Sequence, residues 1–174
     1  MTIASTRTSL RRRFSTKPPP SGWAFFTDRN LGRHIPGLLV QAGLTVHQHD
    51  EIFGPTTLDT TWLPRVGREG WSALSHDRRI CTVPIERDMV FRAGVPLLVL
   101  VGKHGLRQLG TNLIATLPAI LPFLARHDPP FIAKVHYPVP YENLGKGPGR
   151  VEIYLTKRDW ETRPRNRVRR RGRQ

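Results

Sequence analysis

The sequence predicts an α/β domain built on a mostly parallel central sheet that is flanked by helices. Short apolar runs alternate along the chain with helical segments, and this alternation is typical of β-α-β units. The unbroken aliphatic run at 96–101 indicates a strand that is buried on both faces. Gly43, Gly70 and Gly94 each follow a helical segment, at the position where glycine commonly ends a helix.

The individual elements follow from the same patterns. Strands are predicted at 23–27, 44–46, 71–75, 96–101, 131–135 and 151–155. Helices are predicted at 31–42, from Asp59 as the N-cap to Gly70, at 84–93 and at 106–126, with a loop at 51–58. The last helix contains polar residues and prolines, which suit a packed helix better than a membrane span.

Length and composition exclude several classes of protein. The chain has 174 residues, of which 38% are hydrophobic and 24% charged, as expected of one soluble domain. Its one cysteine, Cys81, excludes an internal disulfide framework and a cysteine-based zinc cluster. No apolar stretch follows the first basic residues, so we expect a cytoplasmic protein, although an acid-free start rich in Ser, Thr and Arg also suits an organellar transit peptide.

Positive charge is concentrated at both ends of the chain. Of the formal net charge of +15, residues 1–22 carry +5 and residues 157–174 carry +7. We therefore expect a flexible basic arm at 1–22, a domain at 23–156 and an Arg-rich tail at 157–174. The residues expected to attract RNA phosphates are Lys103 and Arg107 after the fourth strand, and Arg165, Arg167, Arg169, Arg170 and Arg171 in the tail. A tail that only aids solubility is the alternative.

Three aspartates stand where a parallel sheet would bring them together. Asp28 ends the first strand, Asp77 follows the third, and Asp59 opens the helix between them. Ligands of such sheets collect at the carboxyl ends of the strands. Carboxylate oxygens are hard ligands that suit Mg²⁺ or Mn²⁺, so the pattern indicates a metal site that acts on a phosphodiester. The alternative is that all three residues are helix caps and turn residues.

Several short motifs, taken in order, resemble one known family. They are Phe-Phe-Thr-Asp-Arg-Asn-Leu-Gly at 25–32, the glycine turn at 43, His-Asp at 49–50, Asp-Thr-Thr-Trp-Leu at 59–63, Gly-Trp at 70–71 and Ser-His-Asp-Arg-Arg-Ile at 75–80. Together they resemble PIN-like domains, in particular the subgroup related to VapC-type toxins, over roughly residues 23–135. The resemblance implies a PIN-like fold and an acidic pocket for Mg²⁺ or Mn²⁺. It also implies endoribonuclease activity through a metal-activated water, often as the toxin of a toxin–antitoxin pair.

The resemblance also implies roles for individual residues. Asp28, Asp59 and Asp77 match the catalytic metal ligands, Glu86 matches a further acidic position, and Asn30 matches a neighbour that orients the metal site. Thr60 and Thr61 depart from the pattern, since relatives commonly carry acids there. A catalytically inactive module that binds nucleic acid or protein is therefore the alternative. The expected partners are RNA and a small antitoxin, with a homodimer left open and no membrane.

Overall fold

Six strands form one sheet in the order β2-β1-β3-β4-β5-β6 in the computed structural model, which describes residues 22–163. The strands are β1 (Ala24–Thr27), β2 (Thr45–Gln48), β3 (Ser72–Ser75), β4 (Pro96–Leu100), β5 (Phe131–His136) and β6 (Arg150–Thr156). The first five strands run parallel, and β6 pairs antiparallel with β5. This confirms the predicted α/β class with a mostly parallel sheet.

Helices cover both faces of the sheet. They are α1 (His34–Gln41), α2 (His49–Ile52), α3 (Asp59–Glu69), α4 (Arg79–Thr82), α5 (Pro84–Ala93), α6 (Leu106–Arg126) and α7 (Lys157–Thr162). Helices α1 and α6 pack on one face, and α3, α4 and α5 pack on the other. Helix α2 overlaps the start of the predicted loop at 51–58. Helix α7 lies in residues that were expected to belong to the tail, whose residues 164–174 lie outside the described range, as do residues 1–21.

Neighbouring residues of each strand enter opposite halves of the core. Phe25 packs with α1 and α6, whereas Phe26 packs with α3 and stacks on Trp62 at a ring-centroid distance of 4.8 Å. Both phenylalanines are fully buried. Since side chains alternate between the faces of a strand, a central strand covered on both sides is mostly apolar: β4 is apolar at every position, and β1 is apolar except at its last residue, Thr27.

The start of α3 corrects one prediction. Asp59 is the first helical residue and not the N-cap; the N-cap position is held by Leu58, which makes no side-chain capping hydrogen bond. The carboxylate of Asp59 instead accepts a hydrogen bond of 2.9 Å from Nε1 of Trp62. The predicted end of the helix is confirmed, because Gly70 adopts the left-handed conformation with φ of 69° and its N–H donates to the carbonyl of Gly67.

Helix α6 is long and apolar enough to span a membrane by length and composition alone. Half of its most apolar window is nevertheless buried in the protein, and Leu109, Leu113 and Leu117 belong to the core under the sheet. The core helix of a soluble protein passes the same length test, so this helix is weak evidence for a span.

The close packing of α3 on α5 leads to a stability prediction. A Cβ at Gly67 would overlap the backbone oxygen of Ala93, whereas a Cβ at Gly37 in α1 would meet nothing within 4 Å. We expect Gly67→Ala to lower the free energy of unfolding by about 1–3 kcal/mol, because two helix backbones must move apart. Gly37→Ala is the control and should leave it unchanged or raise it by about 0.5–1 kcal/mol. Equal urea midpoints for the two variants would contradict this packing.

Candidate active site

Asp28 lies at the carboxyl end of β1 with its carboxylate buried; only 8% of the residue is exposed. Its Oδ2 accepts hydrogen bonds from Nδ2 of Asn30 at 2.6 Å and from Oγ of Ser75 at 2.7 Å. The single 3-10 turn at Arg29–Leu31 brings Asn30 back beside Asp28, and the buried Leu31 anchors that turn in the core. The carboxylate is therefore held in one orientation by donors from two strand ends.

Ser75 and Asn30 join the ends of β1 and β3. The Ser75 hydroxyl accepts hydrogen bonds from the Asn30 amide and from the backbone N–H of Asp77, both at 3.1 Å. Oδ1 of Asn30 accepts from the backbone N–H of His76 at 2.9 Å. Asp28 and Asp77 thus converge at one sheet edge, as parallel pairing of β1 and β3 requires.

Asp59, Asp77 and Glu86 approach this edge from other elements. Oδ1 of Asp77 accepts a hydrogen bond of 2.8 Å from the backbone N–H of Arg79, at the start of α4. Glu86 lies in the first turn of α5, and its Oε2 is buried without a hydrogen bond from any residue in the range 22–163. Each carboxylate therefore comes from a separate segment of the chain.

The pKa values show that these acids influence one another. Burial is the largest cause that raises the pKa of Asp28, and the charge of Asp59 raises it further. The hydrogen bond from Ser75 lowers this pKa and offsets part of the rise. Burial likewise raises the pKa of Asp59, with a further contribution from Asp77. Burial raises the pKa of Glu86, and both Asp59 and Asp77 add to the effect. Like charges held together in this way are common at functional sites.

The charges of these acids are close enough to affect the pKa values of their neighbours, but the side chains are not arranged as a complete set of metal ligands. In the part of the chain that the structure describes, no three His, Cys, Asp or Glu side chains form a group that could hold a metal ion. The roles predicted for Asp28, Asp59, Asp77, Glu86 and Asn30 therefore stay predictions, while their gathering at one edge is observed.

A cavity of about 620 Å³ opens beside Asp28 and is lined by a residue to which the sequence analysis assigned no role in the site. His49, at the start of α2, lines it and is 2% exposed, and its Nδ1 lies 3.2 Å from Oδ1 of Asp50. Its charge lowers the pKa values of Asp28 and Asp59, against the effect of burial. The signals available in the sequence were the His-Asp pair at 49–50, which belongs to the motifs of the resemblance, and its position directly after β2, the strand beside β1.

The predicted cationic residues fall in two groups. Lys103 and Arg107 are exposed, in the loop after β4 and in the first turn of α6. The five arginines predicted to contact RNA in the tail lie outside the described residues: Arg165, Arg167, Arg169, Arg170 and Arg171. A cation that the predictions did not include, Arg78, donates a hydrogen bond of 3.3 Å to the carbonyl of Gly102 and links the Asp77 loop to the end of β4.

The raised pKa of Asp59 leads to a pH-dependent stability prediction. A carboxyl whose folded-state pKa is raised lowers the free energy of unfolding when it is charged. This destabilisation is largest above the folded-state pKa and disappears below about pH 4, where the carboxyl is protonated in both states. Asp59→Asn should therefore raise Tm by a few degrees at pH 7–8 in EDTA and by progressively less as the pH falls. Asp128→Asn, at an exposed position, should leave Tm unchanged at every pH. A Tm for Asp59→Asn that is lower than the native value at pH 7–8 would contradict the prediction.

Comparison with known proteins gives one finding. Residues 24–102 match the family model described as a PIN-like domain, which covers slightly less than half of the chain and includes Asp28, Asp59, Asp77 and Glu86. No curated protein and no solved structure matches the chain. PIN-like domains are generally nucleases and typically use divalent metals. The matched segment is thus similar to a nuclease-type module, in agreement with the six-stranded α/β fold.

Proposed function

We propose that this chain is a metal-dependent endoribonuclease of the PIN-like type whose active site is formed by Asp28, Asp59, Asp77 and Glu86. The observation that carries the proposal is that four separate segments bring these carboxyl groups to one sheet edge, close enough that Asp59 raises the pKa of Asp28 and that Asp77 raises the pKa values of Asp59 and Glu86, in addition to the larger effect of burial. Helix caps and turn residues have no reason to gather like charges in this way. The PIN-like match over residues 24–102 supports the same interpretation.

The residues at this edge fit a divalent cation. All four donors are carboxylates, and the buried Oε2 of Glu86 lacks a hydrogen-bond partner among the described residues. Mg²⁺ keeps several waters and is usually bound through one or two protein carboxylates together with substrate phosphates, so a three-ligand cage is not required. Asp28, Asp59, Asp77 and Glu86 are the residues that would hold it. A bound Mg²⁺ or Mn²⁺ supplies a water of lowered pKa and positive charge near the leaving oxygen.

The chain itself supplies orientation and attraction for the substrate. Ser75 and Asn30 fix the Asp28 carboxylate, so that it need not reorganise when a phosphodiester approaches. Lys103 and Arg107 are exposed and available to RNA phosphates. Uniform attraction by the basic residues concentrates RNA without selecting a sequence.

The toxin role is a further part of the proposal and rests on the resemblance to VapC-type proteins. A toxin of this kind requires a small inhibitory partner that covers the acidic edge. Expression of the chain alone would then arrest growth, and co-expression of a small adjacent reading frame would relieve the arrest. If cells that express Asp28→Asn grow no better than cells that express the native chain, the proposed toxin role is wrong.

A catalytically inactive module that binds nucleic acid is the second candidate. Two observations favour it: Thr60 and Thr61 stand where relatives commonly carry acids, and no three-residue ligand group is found within residues 22–163. Such a protein would bind RNA in a salt-dependent manner without cutting it.

Cleavage of labelled single-stranded and structured RNAs in Mn²⁺, Mg²⁺ or EDTA separates the two candidates. We expect cleavage that requires metal and falls by about 100-fold or more in Asp28→Asn, because losing even the group that orients a metal ligand costs about 10–100-fold. The exposed Asp128 lies before β5, at the opposite end of the sheet, so Asp128→Asn is the matched control. Binding without cleavage in every metal would establish the inactive module instead.

The arginines of the tail give a separate, electrostatic prediction. Replacing Arg165, Arg167, Arg169, Arg170 and Arg171 together by Gln removes five positive charges. If all five neutralise phosphates, the slope of log K against log salt for single-stranded RNA should become shallower by about 3.5. Filter binding between 50 and 300 mM salt, roughly the range where counterion release dominates, measures this slope. An unchanged slope would show that the tail does not contact RNA.

A further inference from the structure

A second cavity, of about 890 Å³, opens at the carboxyl ends of β4 and β5, on the same edge of the sheet as the acids. Its walls come from Gly102, His104, the end of β5 and the segment 137–150. Apart from Val101 and Gly102, these residues lie beyond the segment that matches the PIN-like family. The hydrogen bond from Arg78 to the carbonyl of Gly102 connects this cavity to the Asp77 loop.

Aromatic rings form one wall of the cavity. His104 and Tyr141 stack on each other, with centroids 4.2 Å apart and planes inclined by 15°. Tyr137 stands edge-on to both rings, at 5.1 Å from His104 and 5.3 Å from Tyr141. Tyr141 is 37% exposed, so the stack is accessible from solvent. Such rings are the platforms on which proteins stack unpaired nucleobases.

Two buried polar atoms that form no hydrogen bond with any described residue lie beside these rings. The hydroxyl of Tyr137 is buried and has no hydrogen-bond partner among the described residues. Nε2 of His136 is also buried and lies 3.4 Å from Oε2 of Glu152, without forming a hydrogen bond. Buried polar groups normally have partners, so the unpartnered Tyr137 hydroxyl in the cavity wall indicates a ligand that can form a hydrogen bond with it.

Both polar groups are in neutral forms that suit an uncharged base. Burial, with a smaller contribution from Tyr141, raises the pKa of Tyr137 to about 12, so the hydroxyl keeps its proton. Burial and then the charge of Arg150 lower the pKa of His136, against the effect of Glu152. A neutral imidazole offers one ring nitrogen as an acceptor.

The position of the Tyr137 ring is set by a close backbone approach. A Cβ at Gly102 would overlap the Tyr137 ring, so the ring packs directly on the backbone at the end of β4. Lys146 and Arg150 also line the cavity and supply positive charge. Arg150 is paired with Glu152 at 2.9 Å, whereas Lys146 makes no ion pair with any residue that the structure describes. Lys146 is therefore available to a phosphate.

We propose that this cavity binds one unpaired nucleobase of an RNA strand, stacked on the His104–Tyr141 pair and hydrogen-bonded to the Tyr137 hydroxyl, with Lys146 on the adjoining phosphate. The cavity would place that nucleotide beside the phosphodiester at the carboxylate edge and give the cleavage a base preference. This inference rests on the proposed nuclease function, but base binding itself does not require catalysis.

The test measures binding of the four nucleoside 5′-monophosphates to the full-length Asp28→Asn protein in EDTA, by calorimetry, so that cleavage cannot interfere. We expect one base to bind more tightly than the others. Tyr141→Ala should weaken its binding by about 5- to 100-fold through lost stacking. Tyr137→Phe keeps the ring and removes only the hydroxyl, and should reduce the preference for that base by about threefold to tenfold.

Tyr154→Phe is the matched control, because Tyr154 lies on β6 outside the cavity, where its ring contacts Lys134. It should bind nucleotides as the unmodified protein does, and thermal melts of all variants verify that they are folded. Equal affinity for all four nucleotides, binding of none of them, or equal effects of Tyr137→Phe and Tyr154→Phe would overturn the base site.

Cleavage assays on the native protein distinguish the two proposals from each other. If the protein binds one base selectively but cleaves no RNA, the proposed nuclease function is wrong and the proposed base site stands. Metal-dependent cleavage that is unchanged in sequence preference by Tyr137→Phe and Tyr141→Ala would overturn the base site and keep the nuclease.

Discussion

The pair of hydrogen bonds that Ser75 and Asn30 donate to the buried carboxylate of Asp28 is the contact around which the candidate site is arranged. Burial raises the pKa of Asp28, so a charged carboxylate at this place works against folding at neutral pH. The Ser75 hydrogen bond offsets part of that effect. The two donors together tie the end of β1 to the end of β3. The same contact therefore joins two strand ends and also affects the charge of the acid, as expected where a fold holds a functional acid.

Parallel pairing explains why the acids meet. With β1 between β2 and β3, the segments that follow these three strands all emerge at one edge, and Asp28, His49 and Asp77 emerge with them. Helix α3 then brings Asp59 to the same edge, held by Trp62, and the first turn of α5 brings Glu86. The apolar core packs on both sides of the sheet beneath this edge, with Phe25 and Phe26 facing opposite ways. Side chains that are held by packed strands and helices can keep like charges close together.

Beyond residue 102 the chain adds features that the PIN-like match does not cover. Helix α6, β5 and the antiparallel β6 extend the sheet, and the segment between β5 and β6 folds back over the end of β4. Tyr137 and Tyr141 come from this segment and meet His104 from the loop after β4. The cavity that results adjoins the acidic edge, so residues 24–102 are similar to a nuclease-type module while the added residues form the candidate base site.

The α/β class, the positions of the strands and the helix stops at Gly70 and Gly94 were predictable from the sequence, because hydrophobic periodicity and glycine stops are local signals. The meeting of Asp28 with Asp77 was also predictable, since strand ends share an edge in any parallel sheet. Ser75 is 47 residues from Asp28, and no local pattern indicates that its hydroxyl donates to that carboxylate. Asp59 was expected as an N-cap, yet its carboxylate bonds to Trp62. His104 stacks on Tyr141 because the segment after β5 folds back over the end of β4. These contacts are set by strand order, register and packing, which are properties of the whole fold and have no signature in any single segment.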